Sequence, residues 1–282
     1  MKKIFLILTL ALAVLVFTVF MSSCGKSTEG LEFVDINEDE CGVKCGAATV
    51  VREIVIPKTH EGKTVTTIMS SGFAKCEKLT SITIPKTVTK IEMGAFYGCK
   101  SLESVYYKGN VNNWCDIDFA HSTANPMSEA EAFYAKGKEI TEIKLKKISA
   151  IKPYTFFGFD RLTSFKADEN LEAIGENAFA GCTELASVEL PSSLVKLDKL
   201  CFATCEKLKE ITIPANTSQI HAHAFYESGV NKVVFENTEK WFTSSKETDT
   251  KGEKIDVTDS EKNAKTLKKS GSGYWKRVIP NN

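Results

Sequence analysis

The side chains of this sequence that could do chemistry beyond packing are nine cysteines, four histidines and a few close acidic pairs. His221-Ala222-His223 has the alternate spacing of a chelate, yet no third ligand or carboxylate pair stands near it in the sequence. Cys41-x-x-x-Cys45 lacks the second pair that a finger-like zinc site requires. Asp116 and Asp118 have the look of paired carboxylates. They alternate with Ile117 and Phe119, however, which puts both on the solvated side of a strand. No nucleophile motif, phosphate loop or dinucleotide loop is written in the chain. The sequence therefore predicts no catalytic residue, no metal and no cofactor. With 36 basic side chains against 36 acidic ones, the basic footprint of a nucleic-acid binder is missing as well.

Cys24 is set up for a different chemistry. Lys2 and Lys3 precede an uncharged run from Ile4 to Phe20, followed by Met21-Ser22-Ser23-Cys24-Gly25. Those 17 apolar-region residues cover about 26 Å as a helix, short of a ~30 Å hydrocarbon core. Positive, apolar and small-residue regions in this order read as a secretory signal. The small residues before Cys24 resemble the lipobox of bacterial lipoproteins, with Met21 where Leu is usual. That resemblance implies cleavage after residue 23, lipid on Cys24, and an exported chain held to a membrane by its acyl groups. An uncleaved anchor, or an ordinary signal with an incidental Cys, is the competing reading.

The elements that would position any site come from an internal repeat. Ile54-Val55-Ile56-Pro57, Ile82-Thr83-Ile84-Pro85, Val188-Glu189-Leu190-Pro191 and Ile211-Thr212-Ile213-Pro214 share one pattern. Phe73, Phe96, Phe156, Phe179, Phe202 and Phe225 follow small or polar residues, and the last four are spaced by 23. Three residues beyond each Phe stand Cys76, Cys99, Phe159, Cys182, Cys205 and Ser228. A column that accepts Cys, Phe and Ser is a packing slot, so these thiols are read as small hydrophobes. A bridge between Cys41 and Cys45, outside the repeats, is left open.

A period of 23 lies in the leucine-rich-repeat range. The predicted fold is a repeat solenoid: parallel strands near residues 54, 82, 105, 143, 165, 188, 211 and 233, joined by short helical or 3-10 return segments with Phe aimed inward. Proline ends four of these strands, at Pro57, Pro85, Pro191 and Pro214, because it lacks the ladder N–H, and the other four have lost it. Residues 1–23 are read as the signal, 24–52 as linker and N-terminal cap, 53–236 as repeats and 237–282 as C-terminal cap or tail. An insert at about 108–140, rich in aromatics, is expected to pack on the solenoid.

The unit I-x-I-P…I-x-x-x-A-F-x-x-C-x-x-L resembles the BspA-like leucine-rich-repeat surface proteins of bacteria over roughly residues 54–235. Asn113 to Phe119 with Asn125-Pro126 resembles an inserted repeat of that family, and the tail with Trp241 and Tyr274-Trp275-Lys276-Arg277 is similar to the family's tail. The resemblance implies an exported protein displayed at the cell surface that binds proteins, in some members an adhesin for host matrix proteins. It supplies no catalytic residues. A passive envelope spacer is the alternative.

Binding, if it occurs, belongs on the outward strand positions. One column runs Val55, Thr83, Tyr106, Lys144, Lys166, Glu189, Thr212 and Val234. Tyr106, Lys144, Lys166 and Glu189 fall on four successive predicted strands, roughly 14 Å across at ~4.8 Å spacing. Tyr106 beside the Trp114 insert is the expected aromatic anchor.

Overall fold

A computed structural model describes residues 27–269 and 273–278. Cys24 and the apolar run before it lie outside the described residues. The chain forms a solenoid of about nine turns with parallel strands and little helix. Nine strands line its front: Glu53–Val55, Ser81–Ile84, Ser104–Tyr107, Ala132–Ala135, Glu142–Leu145, Ser164–Ala167, Ser187–Glu189, Glu210–Ile213 and Lys232–Phe235. Eight are the strands read from the repeat. Their alternation works as expected: Ile54, Ile82, Val105, Ile143, Phe165, Ile211 and Val233 are buried, while Glu53, Lys144, Lys166 and Thr212 face water.

The ninth strand, Ala132–Ala135, corrects the reading of the insert. It pairs in parallel with Ser104–Tyr107, Phe133 opposite Val105 and Tyr134 opposite Tyr106. Residues 108–135 are thus a further coil and not an appendage. The chain then reverses at Lys136 and Gly137, both at positive φ, and Lys138–Glu139 pairs antiparallel with Ala132–Ala135. Two left-handed residues suit the tight hairpin turn, and Gly accepts that conformation at little cost. This hairpin ends the first front ladder, and Glu142–Leu145 begins a second with Ser164–Ala167 and Ser187–Glu189. The expected single sheet is broken there.

The back of the solenoid carries two ladders that the repeat pattern did not reveal, one ending at Asp118–Phe119 and the other beginning at Ala150–Ile151. Their members are mostly two residues long: Lys90–Ile91, Asp118–Phe119, Ala150–Ile151, Ala173–Ile174 and Lys196–Leu197. Strands this short show no periodicity of their own. Between back and front the return segments depart from the expected helical or 3-10 turn. Ser71 and Lys75 flank Phe73 at positive φ, as Gly94 and Gly98 flank Phe96 and Leu200 and Thr204 flank Phe202. Those conformations break a helix. They also turn backbone donors toward the next coil: the Phe73 N–H reaches the Ala95 carbonyl (2.8 Å), and the Phe202 N–H the Ala224 carbonyl (2.8 Å). Inter-coil bonds have replaced intrahelical ones.

The Phe side chains form a spine. Phe156, Phe179, Phe202 and Phe225 are all fully buried and stack at centroid distances of 5.2, 5.3 and 5.8 Å. Phe73 and Phe96 stack at 5.6 Å. In the coil between the two stacks the slot holds only Ala124, and Trp114 occupies the core nearby. Its ring is fully buried against Tyr107, Phe119, Phe133 and Phe159, and its indole N–H donates to the Thr155 carbonyl at 2.7 Å.

Both ends are covered. The hairpin of Glu32–Asp35 and Glu40–Lys44 extends the first back ladder at its edge, Glu40–Lys44 pairing in parallel with Lys63–Ile68. At the other end Tyr274–Arg277 pairs antiparallel with Gln219–His221, and the helix Ser260–Lys268 covers the last front strand. Asn263 in that helix is buried and donates to the Val233 and Val257 carbonyls at 3.2 and 2.8 Å. Among the described residues no helix is long and apolar enough to cross a membrane.

Candidate functional site

The outward column exists, but it is divided. Val55, Thr83, Tyr106 and Tyr134 are in register on the first ladder, and Lys144, Lys166 and Glu189 on the second. Tyr106 is therefore not on the strand next to Lys144, because Ala132–Ala135 and the hairpin strand stand between them. The four expected residues do not form one continuous patch. Trp114 is not a surface anchor either. It is buried, and its neighbour is the inward Tyr107 (5.1 Å) instead of Tyr106. The outward partner of Tyr106 is Tyr134, with rings 4.8 Å apart and 21° from parallel. Alternation within Ala132-Phe133-Tyr134-Ala135 would have found Tyr134, had those residues been read as a strand. Partial burial raises the Tyr106 hydroxyl above its usual range, so that phenol stays neutral at physiological pH.

Lys144 and Lys166 are brought together. They sit directly opposite each other on adjacent parallel strands and are both exposed. Like charges in opposed positions weaken a sheet, and here the next strand sets Glu189 opposite Lys166. Two carboxylates moderate the repulsion: Glu142 lies 3.4 Å from Lys144, and Glu189 pairs with Lys166. Exposed ion pairs of this kind contribute little to folding. The result is a face carrying two in-register lysines, each beside a carboxylate, at one point and two stacked tyrosines at another.

The other candidate chemistry does not assemble. All eight described cysteines are buried free thiols. Burial pushes Cys99, Cys115 and Cys205 up to about 12 and holds Cys182 and Cys201 well above the usual thiol range. Thiols held neutral in this way are poor nucleophiles. Cys41 and Cys45 flank an extended stretch of the strand Glu40–Lys44, about 13 Å at ~3.3 Å per residue. A disulfide needs Cα atoms within ~7 Å, so that bridge is excluded. His221 ends the strand Gln219–His221 and is half-buried under Tyr274. Among the described residues no group of three His, Cys, Asp or Glu side chains could hold a metal. Asp118 is exposed and pairs with Lys152 at 2.7 Å, with Ile117 and Phe119 buried beside it.

Stacked coils with inward Phe, Leu and Ile and a variable outward column define a leucine-rich-repeat solenoid. The chain belongs to the family described as BspA type leucine rich repeat region, which matches residues 47–125 and 128–246 in six copies. That family is generally associated with protein binding and typically not with catalysis. No curated protein matches the chain. Among solved structures it is similar to a leucine-rich repeat protein from Eubacterium ventriosum, with 26% identity over 67% of this chain and 46% of that one, at a TM-score of 0.45. A leucine rich cell surface protein from Faecalibacterium prausnitzii has 18% identity, coverage of 76% and 95%, and a TM-score of 0.33. The T. pallidum leucine rich repeat protein has 18%, 74% and 86%, and 0.36. The chain spans less than half the length of the first of these. Family membership rests on the repeats alone.

Proposed function

We propose that the protein is an exported, lipid-anchored cell-surface protein whose front face docks protein partners, host matrix proteins among them. The observation that supports this most is the in-register pair Lys144 and Lys166 on an exposed strand face. The core does not need these positions, because both side chains point to solvent. Solenoids use such a face for docking because it is rigid and its side chains are free to vary from coil to coil. The chemistry favours a protein segment bearing carboxylates, with the Tyr106–Tyr134 stack offering a separate apolar contact. Anchoring rests on the residues that precede and include Cys24.

The test is capture. The full chain, solubilised in detergent and immobilised, is exposed to extracellular-matrix protein from host tissue. Saturable retention of a defined protein supports docking. Retention no greater than on a surface bearing an unrelated lipoprotein leaves the passive spacer as the better reading.

A further inference from the structure

The thiol of each column cysteine deeper in the solenoid is committed to the backbone. The Cys99 thiol donates to the Phe73 carbonyl at 3.0 Å, Cys182 to Phe156 at 3.2 Å and Cys205 to Phe179 at 3.2 Å. In every case the acceptor is the spine Phe of the coil before. Cys76 belongs to the first coil, and the element before it is the N-terminal cap, which contributes no such Phe. Its sulfur lies instead 3.1 Å from the sulfur of Cys45, a residue of the cap. Both side chains are buried, at 1% and 4% exposure.

The backbone brings Cys45 to the level that a spine Phe takes in later coils, its N–H meeting the Gly72 carbonyl as the Phe73 N–H meets the Ala95 carbonyl. Cys45 lies outside the repeat pattern, between the strand Glu40–Lys44 and the short 3-10 helix Gly46–Val50. The backbone already clamps the two segments together, with the Cys45 N–H donating to the Gly72 carbonyl at 2.7 Å. A Cβ on Gly72 would lie 3.2 Å from the Val43 carbonyl oxygen, so the chains approach closely here. A thiol–thiol contact is a weak hydrogen bond, a poor use of two buried polar groups. An S–S bond of ~2.0 Å needs the sulfurs to close by roughly 1 Å.

We propose that Cys45 and Cys76 are a disulfide-forming pair that fastens the N-terminal cap to the first coil. In a solenoid the terminal coil has a neighbour on one side only, which makes the cap the end most in need of such a tie. The chemistry is thiol–disulfide exchange with a dithiol-accepting disulfide such as oxidised glutathione. One cysteine, as thiolate, attacks a sulfur of the oxidant and expels one glutathione thiolate. The second cysteine, as thiolate, then attacks the protein sulfur of the mixed disulfide and expels the other. The two electrons reduce the oxidant disulfide, and the two thiol protons end on the two released glutathiones. Cys41 and Cys99 are the competitors within reach of the sequence. The first is held an extended strand away from Cys45, and the second is occupied at Phe73.

The full chain, reduced and unfolded, is refolded in excess oxidised glutathione, its remaining thiols are alkylated, and it is digested with trypsin. Cleavage after Lys44, Arg52, Lys75 and Lys78 separates Cys41 from Cys45 and isolates Cys76. The expected product is peptide 45–52 joined to peptide 76–78, two hydrogens lighter than the pair of free thiols. Its melting temperature exceeds that of the reduced protein by several degrees, and Cys45→Ser and Cys76→Ser both remove that difference. The proposal is overturned if both thiols remain alkylatable, or if Cys76 is found joined to Cys99. Neither readout depends on export or on a partner.

Discussion

The rings of Phe179 and Phe202, 23 residues apart in sequence, lie 5.3 Å apart and within 6° of parallel. Each stands at the same level of its own coil, so the sequence period and the stacking repeat are one quantity. Every coil must present the same buried residue at the same height, or its neighbours lose contact. Outward positions carry no such constraint.

Phe202 should therefore be far more costly to truncate than the outward Thr212, less than one coil further along the chain. Phe202→Ala removes a fully buried ring and should cost about 3–5 kcal/mol. Thr212→Ala, on the exposed face, should change stability by less than ~0.5 kcal/mol. Thermal melting of the two variants side by side checks this, and equal shifts would mean that the Phe column is not the spine.

Trp114 separates two effects. Trp114→Ala should destabilise by about 3–5 kcal/mol, because the coil it fills has Ala124 in the Phe slot. Trp114→Phe keeps much of the volume but loses the hydrogen bond to Thr155, about 1 kcal/mol. Denaturant unfolding resolves the difference. A Trp114→Ala variant as stable as Trp114→Phe would place the indole outside the core.

Acid should loosen the C-terminal cap through His221. Burial beneath Tyr274 lowers the His221 pKa below its ordinary value, and His223 and Lys199 add to this against Asp198 and Glu247. Geometry agrees: the His223 N–H donates to His221 Nδ1 at 3.2 Å, which needs that nitrogen unprotonated. Below pH ~6.5 the unfolded chain takes up a proton that the folded chain refuses. Stability falls as pH drops through that window and levels off below the folded-state pKa. Melting temperatures across pH 7.5 to 5 should show the fall, and His221→Gln should flatten it.

Anchoring is tested at Cys24. Cys24→Ser should abolish incorporation of labelled fatty acid and leave the precursor uncleaved. Labelling that persists in the variant would place the lipid elsewhere or remove it from the account.

The repeat was legible because stacking writes it many times: Phe, Cys and Leu columns recur at one spacing, and Pro ends the strands. The back ladders were not, since pairs such as Lys90–Ile91 are too short to alternate. The strand Ala132–Ala135, which closes the Val105 to Phe133 coil, is hidden for a related reason. That coil is 28 residues long, the same step as Ile54 to Ile82, but it lacks both the Pro and the spine Phe. Missing it moved Tyr106 beside Lys144, whereas the fold gives it Tyr134. Cys45 and Cys76, 31 residues apart, meet only because the cap folds onto the first coil. No local spacing records that contact.

The central claim is that the front face docks a partner through Lys144 and Lys166. Its most direct test compares the full chain with the Lys144→Glu/Lys166→Glu variant for binding to the captured matrix protein, across a range of salt. Both positions are exposed, so the variant should melt close to the parent. The claim predicts affinity weakened about tenfold or more at low salt, with the difference shrinking as salt screens it. Unchanged affinity in a folded variant, together with binding lost on substitution of exposed residues in the 237–269 segment, would contradict it and leave the strand face a solvated wall.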